Sequence, residues 1–403
     1  MMHNIADKFK EERTINISER CKGVSPSVTL SLTAKAKELS AQGKNIISFG
    51  VGEPDFVTPE AICDAAKEAL DKGLTHYTDA SGTPELKKTI CLSLEKEHGL
   101  KYRPSQIVVS NGAKQSLFNI CQAILDPGDE VILPSPYWLT YPELIKFAGA
   151  TPVYAECGEN LILDIGNIEK AITSKTRAVI INNPNNPTGA LYPEAVIREL
   201  AEVAVRHDLT VISDEIYDKL VYDVEAPPSI ATMPGMLERT IIVNGVSKTY
   251  AMTGWRIGWT ASPLNAANAM SAYQSHSTSG PNTMAQYAAA HALAGPQESV
   301  AAMKAEFKKR RDYAISRIEK MDGVGLVYPG GAFYIMMDVS GAYRDGMSGS
   351  VEFSRRLLEE NFVAAVPGAA FGDDNYIRLS YAASMEDIAE GLDRIEAFIR
   401  KYR

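Results

Sequence analysis

The feature that most constrains the fold of this chain is a series of short apolar runs, which alternate with helix-like stretches between about Asn45 and Ala261. The runs are Q-I-V-V-S (106–110), E-V-I-L-P (130–134), A-V-I-I-N (178–182), L-T-V-I-S-D (209–214) and T-I-I-V-N-G-V (240–246). They are apolar throughout, which is typical of strands buried on both faces. The sequence therefore predicts β-α-β units and an α/β fold with a mainly parallel sheet. Two helices begin with Thr-Pro-Glu, and Thr58 and Thr83 are expected to cap them.

The pattern changes after about Ala290. A long charged helix is predicted from Gln297 to Met321, and a closing helix is predicted from Ser384. Three strand-like runs lie between them, L-V-Y-P-G-G-A-F-Y-I-M-M-D, F-V-A-A-V-P and Y-I-R-L-S-Y, which is the composition of a smaller α+β domain. We expect an N-terminal arm with part of the small domain in residues 1–50, a large domain in 51–290 and the small C-terminal domain in 291–403.

Composition restricts the class of protein. With 403 residues, 45% of them hydrophobic and 23% charged, the chain is long enough for a large core. A net charge of -9 argues against contact with nucleic acid and favours a small-molecule ligand. The mixed-charge N-terminus and the lack of a membrane-length apolar run predict a cytoplasmic protein. The five cysteines have no C-x-x-C pair and are expected to be buried, reduced thiols, with no disulfide framework and no metal site.

Ligands of open parallel sheets bind beyond the carboxyl ends of the strands, so the residues that follow each run are candidates for a site. The first run leads through N-G-A-K into a helix, whose free N–H groups at Gly112 and Ala113 would seat a phosphate. Small residues are also common before helices. From the residues alone, a solvated cation at the helix start is the preferred interpretation of Lys114.

The next three runs end near residues whose side chains suit a ligand site. S-P-Y-W places Trp138 in a loop, although a tryptophan packed under its own loop is an equal alternative. N-P-N-N-P-T-G is a rigid turn, but turn chemistry does not require Asn186 in particular. Asp214 ends a buried strand and Tyr217 lies about a turn further on; a surface acid beside a loop is the ordinary alternative for Asp214.

The last run ends at Ser247 and Lys248 and leads to Arg256 in S-K-T-Y-A-M-T-G-W-R-I-G-W. No Asp or Glu occurs between Arg239 and Gln297, so a buried Arg256 would need an anion from elsewhere in the fold or from a ligand. A desolvated Lys248 would lose its proton and become a nucleophile towards a carbonyl. Pyridoxal 5′-phosphate carries both a phosphate and a carbonyl, and it is the predicted cofactor.

The motifs S-K-x-x-x-x-x-G-x-R-x-G, N-N-P-T-G, D-E-I-Y and Y-I-R-L-S-Y occur here in the order and approximate spacing of class I aminotransferases of fold type I. The resemblance covers nearly the whole chain, from S-P-S-V-T and G-V-G-E-P-D-F onward, and is closest to the bacterial aspartate aminotransferase branch. It implies a pyridoxal-phosphate-dependent enzyme that moves the amino group of L-aspartate to 2-oxoglutarate. It also implies a homodimer with shared active sites.

The resemblance implies a role towards the cofactor for each matching residue. Lys248 matches the lysine that forms the Schiff base and carries the proton, and Asp214 matches the acid on the pyridine nitrogen. Tyr217 and Asn186 match the donors to the ring oxygen, and Trp138 matches the stacking aromatic residue. The residues that match the phosphate-binding set are Arg256, Ser247, the Gly112–Ala113 backbone and, from the other subunit, Tyr77.

Substrate binding is implied in the same way. Arg378 resembles the arginine that pairs with the substrate α-carboxylate, helped by Asn186 and the Gly52 backbone, although from the residues alone a surface ion pair would be preferred. Lys114 matches a lysine that serves the distal carboxylate in this branch, together with hydroxyls such as that of Thr29. Other aspartate aminotransferases use an arginine of the partner subunit, and the segment Q-S-H-S-T-S-G-P-N-T has none.

Several alternatives remain open. The nearest keeps the fold but acts on aromatic amino acids, alanine or prephenate, and a lyase that eliminates a β-substituent is more distant. A nicotinamide-dependent oxidoreductase is disfavoured, because G-V-G-E-P-D-F lacks the third glycine of the phosphate-binding fingerprint. A ligand-sensing regulator is disfavoured, because the short N-terminal arm leaves no room for a DNA-binding module.

Overall fold

The computed structural model describes residues 15–24, 28–224, 226–344 and 346–402, apart from the side chains of residues 20, 28–30 and 33. The strands of this part of the chain are β1 (Ile47–Ser48), β2 (Ile107–Ser110), β3 (Glu130–Ser135), β4 (Thr151–Glu156), β5 (Thr176–Asn182), β6 (Thr210–Asp214), β7 (Thr240–Gly245), β8 (Gly258–Ala261), β9 (Gly325–Leu326), β10 (Tyr334–Asp338), β11 (Val363–Ala364), β12 (Val366–Pro367) and β13 (Tyr376–Ser380).

The α-helices lie between and around these strands. They are α1 (Glu19–Lys22), α2 (Val28–Ala41), α3 (Glu60–Asp71), α4 (Pro84–His98), α5 (Ala113–Ile124), α6 (Tyr141–Phe147), α7 (Ile165–Lys170), α8 (Glu194–Arg206), α9 (Leu264–Ser277), α10 (Thr283–Ala294), α11 (Glu298–Ile318), α12 (Ser350–Asn361) and α13 (Met385–Tyr402). The long charged helix predicted after residue 290 is α11, and the predicted closing helix is α13.

Seven strands form the main sheet, in the order β2-β8-β7-β6-β5-β3-β4. β7, β6, β5, β3 and β4 run parallel, while β8 is antiparallel to both of its neighbours. All five predicted apolar runs are strands of this sheet, so the mainly parallel α/β architecture is confirmed. Two strands of this sheet were not predicted: β4, which lies at an edge and contains a proline, and β8, which has four residues.

Helices cover both faces of the main sheet, and β3 shows how the sequence directs this. Val131 and Leu133 pack with α5 and α6, whereas Ile132 between them packs with α7 and α8 on the opposite face. Successive side chains of a strand point to opposite faces, so a run that is apolar at every position buries both. The two layers cover the faces of the sheet, so a ligand of this sheet is expected at the ends of the parallel strands.

The chain after α11 builds a second, smaller unit of α+β type. Its four-stranded antiparallel sheet has the order β12-β13-β10-β9, and β11 pairs in parallel with β1 from the N-terminal part. In this sheet β13 and β10 place Arg378 level with Met336 and Ser380 level with Tyr334. Tyr334 and Arg378 thereby come to the side of the sheet system that faces the large unit, where both line one cavity.

The two predicted threonine caps of helices have different outcomes. Thr83 caps α4, because its hydroxyl accepts a hydrogen bond from the N–H of Leu86. The same prediction is wrong for Thr58, whose hydroxyl donates 2.7 Å to the carbonyl oxygen of Ala251 and leaves α3 without a side-chain cap. A tertiary contact with the 251–256 turn has taken the place of the cap.

All five cysteines are free, as predicted, but their burial differs. Cys91 and Cys121 are buried, Cys63 and Cys157 are partly buried and Cys21 is exposed. The expectation of buried thiols is therefore confirmed for Cys91 and Cys121 and wrong for Cys21. Within the described residues, none of the helices combines the length and the apolar character that crossing a membrane requires.

Candidate active site

A cavity of about 550 Å³ lies at the carboxyl edge of the main sheet, where the ends of β5, β6 and β7 meet the start of α5. Residues of β10, β13 and the segment 50–53 line its other side. This is the edge at which ligands of parallel sheets bind. The structure brings eleven of the predicted residues to the cavity, namely Gly52, Ala113, Lys114, Trp138, Asn186, Asp214, Tyr217, Ser247, Lys248, Arg256 and Arg378.

Asp214 ends β6 and is only 4% exposed, so it is not the surface acid of the ordinary alternative. Its Oδ2 accepts a hydrogen bond of 2.7 Å from the hydroxyl of Tyr141, and its Oδ1 accepts one of 3.2 Å from the N–H of Ile216. Burial raises the pKa of this carboxyl to about 6, although both hydrogen bonds and the charge of Lys248 act in the opposite direction. Asp214 is therefore a fixed acid that can hold a proton-bearing group.

Lys248 lies just after β7 and is partly exposed within the cavity. Its ammonium group donates to the carbonyl oxygen of Gly52. Burial lowers the pKa of Lys248 to about 8; the charge of Glu53 opposes this effect, while the charge of Arg378 adds to it. An amine with this pKa is substantially neutral just above physiological pH, which makes Lys248 a nucleophile.

Two tyrosine hydroxyls meet on the side of β6. Tyr217 and Tyr334 are both buried, and their hydroxyl oxygens lie 3.0 Å apart. Burial raises the pKa of each phenol above its usual value, so both remain neutral hydrogen-bond donors. Either hydroxyl can donate to the other. The hydroxyl that accepts this hydrogen bond keeps its own O–H to donate into the cavity.

Asn182 and Asn186 join the ends of neighbouring strands. The Nδ2 of Asn182 donates 2.9 Å to the carbonyl oxygen of Asp214, and its Oδ1 accepts 2.7 Å from the N–H of Asn186. The Oδ1 of Asn186 in turn accepts 3.0 Å from Nη1 of Arg378. The Nδ2 of Asn186 is therefore the atom that remains to serve a ligand.

Arg378 is only 3% exposed, and the alternative of a surface ion pair is wrong. Its Nη2 donates 3.1 Å to the carbonyl oxygen of Gly50, and its guanidinium carbon lies 4.4 Å from the ring centroid of Tyr334 and 5.0 Å from that of Phe371. Its described hydrogen-bond partners include no carboxylate, and its buried Nε has no hydrogen-bond partner. A buried cation of this kind calls for an anionic ligand.

The start of α5 and the turn around Arg256 fit closely together. Gly112 precedes α5 with φ 87°, in the left-handed region that favours glycine. A Cβ at Gly112 would lie 2.5 Å from Nη2 of Arg256, so the guanidinium packs directly on the glycine. The first-turn N–H groups of α5, beginning at Ala113, therefore lie beside a guanidinium, and both elements favour an anion.

The expectation that Arg256 is buried is wrong. Its side chain is exposed, and Gly254 in the same turn is exposed as well, so the turn lies at the molecular surface while Arg256 also lines the cavity. Its Nη1 donates 2.8 Å to the carbonyl oxygen of Thr253, and the hydroxyl of Thr253 donates 2.7 Å to Glu53. Within the described chain Arg256 makes no ion pair with a carboxylate, so its charge is left for a ligand.

Lys114 and Trp138 face each other across the cavity wall. The Nζ of Lys114 lies 4.9 Å from the ring centroid of Trp138, which is a cation–π distance. Partial burial of the amine, and then the charge of Arg256, lower the pKa of Lys114. Trp138 is partly exposed, meets Tyr141 edge to face and lines the cavity. Lys114 is both solvated and directed at the cavity.

Two predicted residues do not line the cavity, and the side chain of a third is not among the described residues. Gly112 lies directly before Ala113, as above, and Tyr77 is 97% exposed and outside the lining. The contact of Tyr77 with a partner's phosphate therefore stays a prediction. The side chain of Thr29 lies outside the described residues.

Five polar lining residues were not singled out from the sequence: Glu53, Tyr141, Asn182, Thr253 and Tyr334. A signal existed for Asn182, which ends an apolar run, and for Tyr141, which follows Trp138 by one turn. Tyr334 lies inside a strand-like run of the smaller unit, where nothing in the sequence separates a cavity residue from a core residue.

One cluster of metal-ligating type occurs among the described residues, away from the cavity. Glu97, His98 and Asp218 bring ligand-type atoms within 4.8 Å of one another. Lys219 already pairs with Glu97, and Asn244 donates 2.8 Å to Asp218. These acids have partners within the protein, and nothing at the cluster points to an ion.

A family model described as aminotransferase class I and II matches residues 44–395. The chain belongs to the class I and II aminotransferases. This aminotransferase is thus an enzyme of the transaminase type, and the resemblance inferred from its motifs is confirmed.

The aminotransferase is similar to named proteins over nearly its whole length. An aspartate aminotransferase of Bacillus sp. (strain YM-2) is 44% identical over 388 residues, which cover 95% of this chain and 99% of that protein. An aspartate/prephenate aminotransferase of Cereibacter sphaeroides is 45% identical over 394 residues, with 95% and 98% covered. The solved aspartate aminotransferase of Rhizobium meliloti has a TM-score of 0.94 at 40% identity, with 97% of this chain and 100% of that chain covered. The fold is therefore fold type I, as predicted.

Proposed function

We propose that this aminotransferase uses pyridoxal 5′-phosphate to transfer the amino group of L-aspartate to 2-oxoglutarate, with oxaloacetate and L-glutamate as products. The observation that carries the proposal is one cavity that holds the low-pKa amine of Lys248, the buried acid Asp214 and the buried Arg378 without a carboxylate partner. Relatives at 43% and 44% identity that are named aspartate aminotransferases support the choice of donor.

The residues of the cavity fit this cofactor. Its volume of about 550 Å³ is in the range of small-molecule sites. Its side chains carry more positive than negative charge, with Lys114, Lys248, Arg256 and Arg378 against Glu53 and Asp214. The free Nε of Arg378 and the close packing of Arg256 on Gly112 next to the helix start supply two separate places for anions. A phosphate and a substrate carboxylate would satisfy both.

When bound, pyridoxal phosphate supplies an aldehyde that condenses with amines and a ring that accepts electrons from the substrate α-carbon. We assign the attachment of the cofactor to Lys248, and transfer of the α-proton to its Nζ. The lowered pKa of Lys248 lets this amine take up and return a proton near neutral pH. Asp214 would hold the proton of the ring nitrogen, with its orientation fixed by Tyr141 and the N–H of Ile216.

The remaining roles follow from the contacts of each residue. Tyr217, held by Tyr334, and the Nδ2 of Asn186 would donate to the ring oxygen, and Trp138 would cover one ring face. The phosphate would be held by the N–H groups of the Gly112–Ala113 turn, by Ser247 and by Arg256.

Arg378 would bind the substrate α-carboxylate, since it is the buried cation with an unused donor, with Asn186 and the Gly52 backbone beside it. Lys114 would serve the distal carboxylate. Its amine lies at the cavity wall and makes no ion pair within the described chain. Two carboxylates of one substrate would then be held by two cations, which selects dicarboxylic amino acids.

Assembly and location belong to the same proposal. We propose a homodimer, because Tyr77 is 97% exposed and its predicted partner is a phosphate in another subunit. We keep the proposed boundaries of 1–50 for the arm, 51–290 for the large domain and 291–403 for the small domain. They are compatible with a main sheet within residues 107–261 and a second sheet within 325–380. Cytoplasmic location stays a prediction from the sequence.

Prephenate is a second candidate as amino acceptor, because relatives at 45% and 46% identity are named aspartate/prephenate and probable aspartate/prephenate aminotransferases. In both cases the amino donor would be a dicarboxylic amino acid bound by Arg378 and Lys114.

The test is the formation of oxaloacetate from L-aspartate by the purified protein, supplied with pyridoxal phosphate and with either 2-oxoglutarate or prephenate. Oxaloacetate with 2-oxoglutarate supports the proposal, and oxaloacetate with prephenate adds the second acceptor. Lys248→Ala should abolish both reactions while the far-ultraviolet circular dichroism stays unchanged. Absence of oxaloacetate from the wild-type protein with every acceptor would overturn the assignment.

A further inference from the structure

Gln274 on α9 is the centre of a buried polar network outside the cavity. It is 0% exposed, and its side-chain amide is used at both ends. Its Oε1 accepts hydrogen bonds of 2.6 Å from the hydroxyl of Ser110 and 2.7 Å from Nδ2 of Asn119. Its Nε2 donates 2.8 Å to the carbonyl oxygen of Val109 and also donates to that of Ala80. One side chain thus binds three separate stretches of the chain.

The first arm of the network holds the turn between β2 and α5. Val109 and Ser110 end β2, and Asn119 lies in the second turn of α5, so Gln274 binds the strand before the turn that contains Gly112 and the helix after it. Gln115 adds a parallel link, since its Oε1 accepts 2.8 Å from the N–H of Asn111 and its Nε2 donates 2.7 Å to Thr278 just beyond α9. Contacts from α9 and Thr278 therefore fix the position of α5 and the direction of its first-turn N–H groups.

The second arm holds the segment 76–82, which carries Tyr77. Gln274 donates to Ala80 in this segment, and the N–H of Val109 donates 3.0 Å to the carbonyl oxygen of Ser81. A second buried glutamine, Gln286 on α10, fixes the same segment by donating 3.2 Å to the hydroxyl of Thr78. Gln286 makes no hydrogen bond to the β2–α5 turn within the described residues.

We propose that Gln274 is a positioning residue for recognition of the cofactor phosphate. It aligns the β2–α5 turn for the cavity of its own chain and the Tyr77 segment for the cavity of a second copy. The inference rests on the proposed function, because it takes the phosphate of pyridoxal phosphate as the ligand of both elements. Buried amides that lose their partners move or admit water, so removal of the Gln274 amide should loosen both elements together.

The test compares the dissociation constants of pyridoxal 5′-phosphate and pyridoxal for the cofactor-free protein, because pyridoxal lacks only the phosphate. In Gln274→Met the preference for the phosphorylated compound should fall about tenfold, which corresponds to about 1.4 kcal/mol. The affinity for pyridoxal itself should change little. A general loss of structure would weaken both compounds alike, so the ratio separates positioning from folding.

Gln286→Met is the matched control, since Gln286 is equally buried and binds Thr78, Thr83 and Pro281 but not the β2–α5 turn. It should lower the preference by less than Gln274→Met does. If Gln274→Met fails to fold, Ser110→Ala removes one of the four hydrogen bonds and should lower the preference about threefold. An unchanged ratio in the folded variant, or an equal fall in Gln286→Met, would overturn the proposal. A wild-type protein that does not prefer the phosphorylated compound would instead refute the proposed function.

Discussion

The hydroxyl of Tyr141 donates a hydrogen bond of 2.7 Å to Oδ2 of Asp214, and both side chains are almost completely buried. The contact joins the start of α6 to the end of β6, across 73 positions of the chain. A hydrogen bond to a carboxylate favours its charged form, so Tyr141 opposes the effect of burial on the pKa of Asp214.

Replacement of Tyr141 by phenylalanine should therefore raise the pKa of Asp214 further above its usual range. An ionised Asp214 favours the protonated cofactor ring, so affinity for pyridoxal phosphate should fall as the pH drops through the pKa of Asp214. In Tyr141→Phe this fall should begin at a higher pH. The measurement is the cofactor dissociation constant from pH 5 to 8, with Tyr154→Phe as a control on a half-exposed tyrosine. Superimposable curves for Tyr141→Phe and wild type would refute the link.

The same carboxyl should affect the stability of the cofactor-free protein. Burial raises the pKa of Asp214 from its usual 3.8 to about 6, so its contribution to stability is fully present below about pH 4 and is lost as the pH rises through about 6. The loss corresponds to about 3 kcal/mol at most. Asp214→Asn should therefore be more stable than wild type at pH 8 and similar at pH 4, measured by urea unfolding. The control Asp126→Asn, at an exposed aspartate, should show the same stability as wild type at both pH values. If Asp214→Asn also matches wild type at pH 8, the prediction is wrong.

Much of the fold and site followed from the sequence for one physical reason. Strands that are apolar at every position must lie in a covered parallel sheet, whose carboxyl ends share one edge. Asn186, Asp214 and Lys248 could therefore be placed together without knowledge of any contact. The burial of Arg378 could not be derived in this way, because an arginine in a strand is usually at the surface; the family resemblance identified it.

The roles or positions of other residues could not be predicted from the local sequence. Tyr141 and Tyr334 act through partners 73 and 117 positions away, and each could equally be a core tyrosine. Arg256 was expected to be buried because its neighbours are apolar and aromatic, but the turn that carries it lies at the surface. Thr58 lies in a sequence typical of a helix cap, but its hydroxyl instead donates a hydrogen bond to the carbonyl oxygen of Ala251. For Tyr141, Tyr334 and Thr58, a contact with a residue distant in sequence decided the outcome, which local propensity could not predict.

Tyr334 makes two contacts that can be separated by mutation, because its hydroxyl hydrogen-bonds with that of Tyr217 and its ring packs on the guanidinium of Arg378. Tyr334→Phe keeps the ring and should reduce kcat a few-fold with little change in KM. Tyr334→Leu also removes the aromatic face and should raise KM for L-aspartate about tenfold. Steady-state kinetics of the two variants measure the difference. Equal KM values in both would show that the ring does not support Arg378.

Lys114 should set the preference for dicarboxylic substrates. In Lys114→Met the ratio of kcat/KM for L-aspartate to that for an aromatic amino acid should fall at least about tenfold, because only the distal carboxylate loses its partner. Lys146→Met, at an exposed lysine that pairs with Glu143, should leave the ratio unchanged. A proportional loss for both substrates in Lys114→Met would show that Lys114 acts on the cofactor or on folding instead.

The most direct test of the central claim is the visible absorption spectrum of the purified protein, loaded with pyridoxal phosphate, before and after addition of L-aspartate without an acceptor. We predict a visible band that depends on Lys248 and disappears on addition of L-aspartate, since the first half of the reaction needs no second substrate. A band that ignores L-aspartate would contradict the proposed donor. The absence of any band after incubation with the cofactor would contradict the claim that Lys248, Asp214 and Arg256 form its binding site.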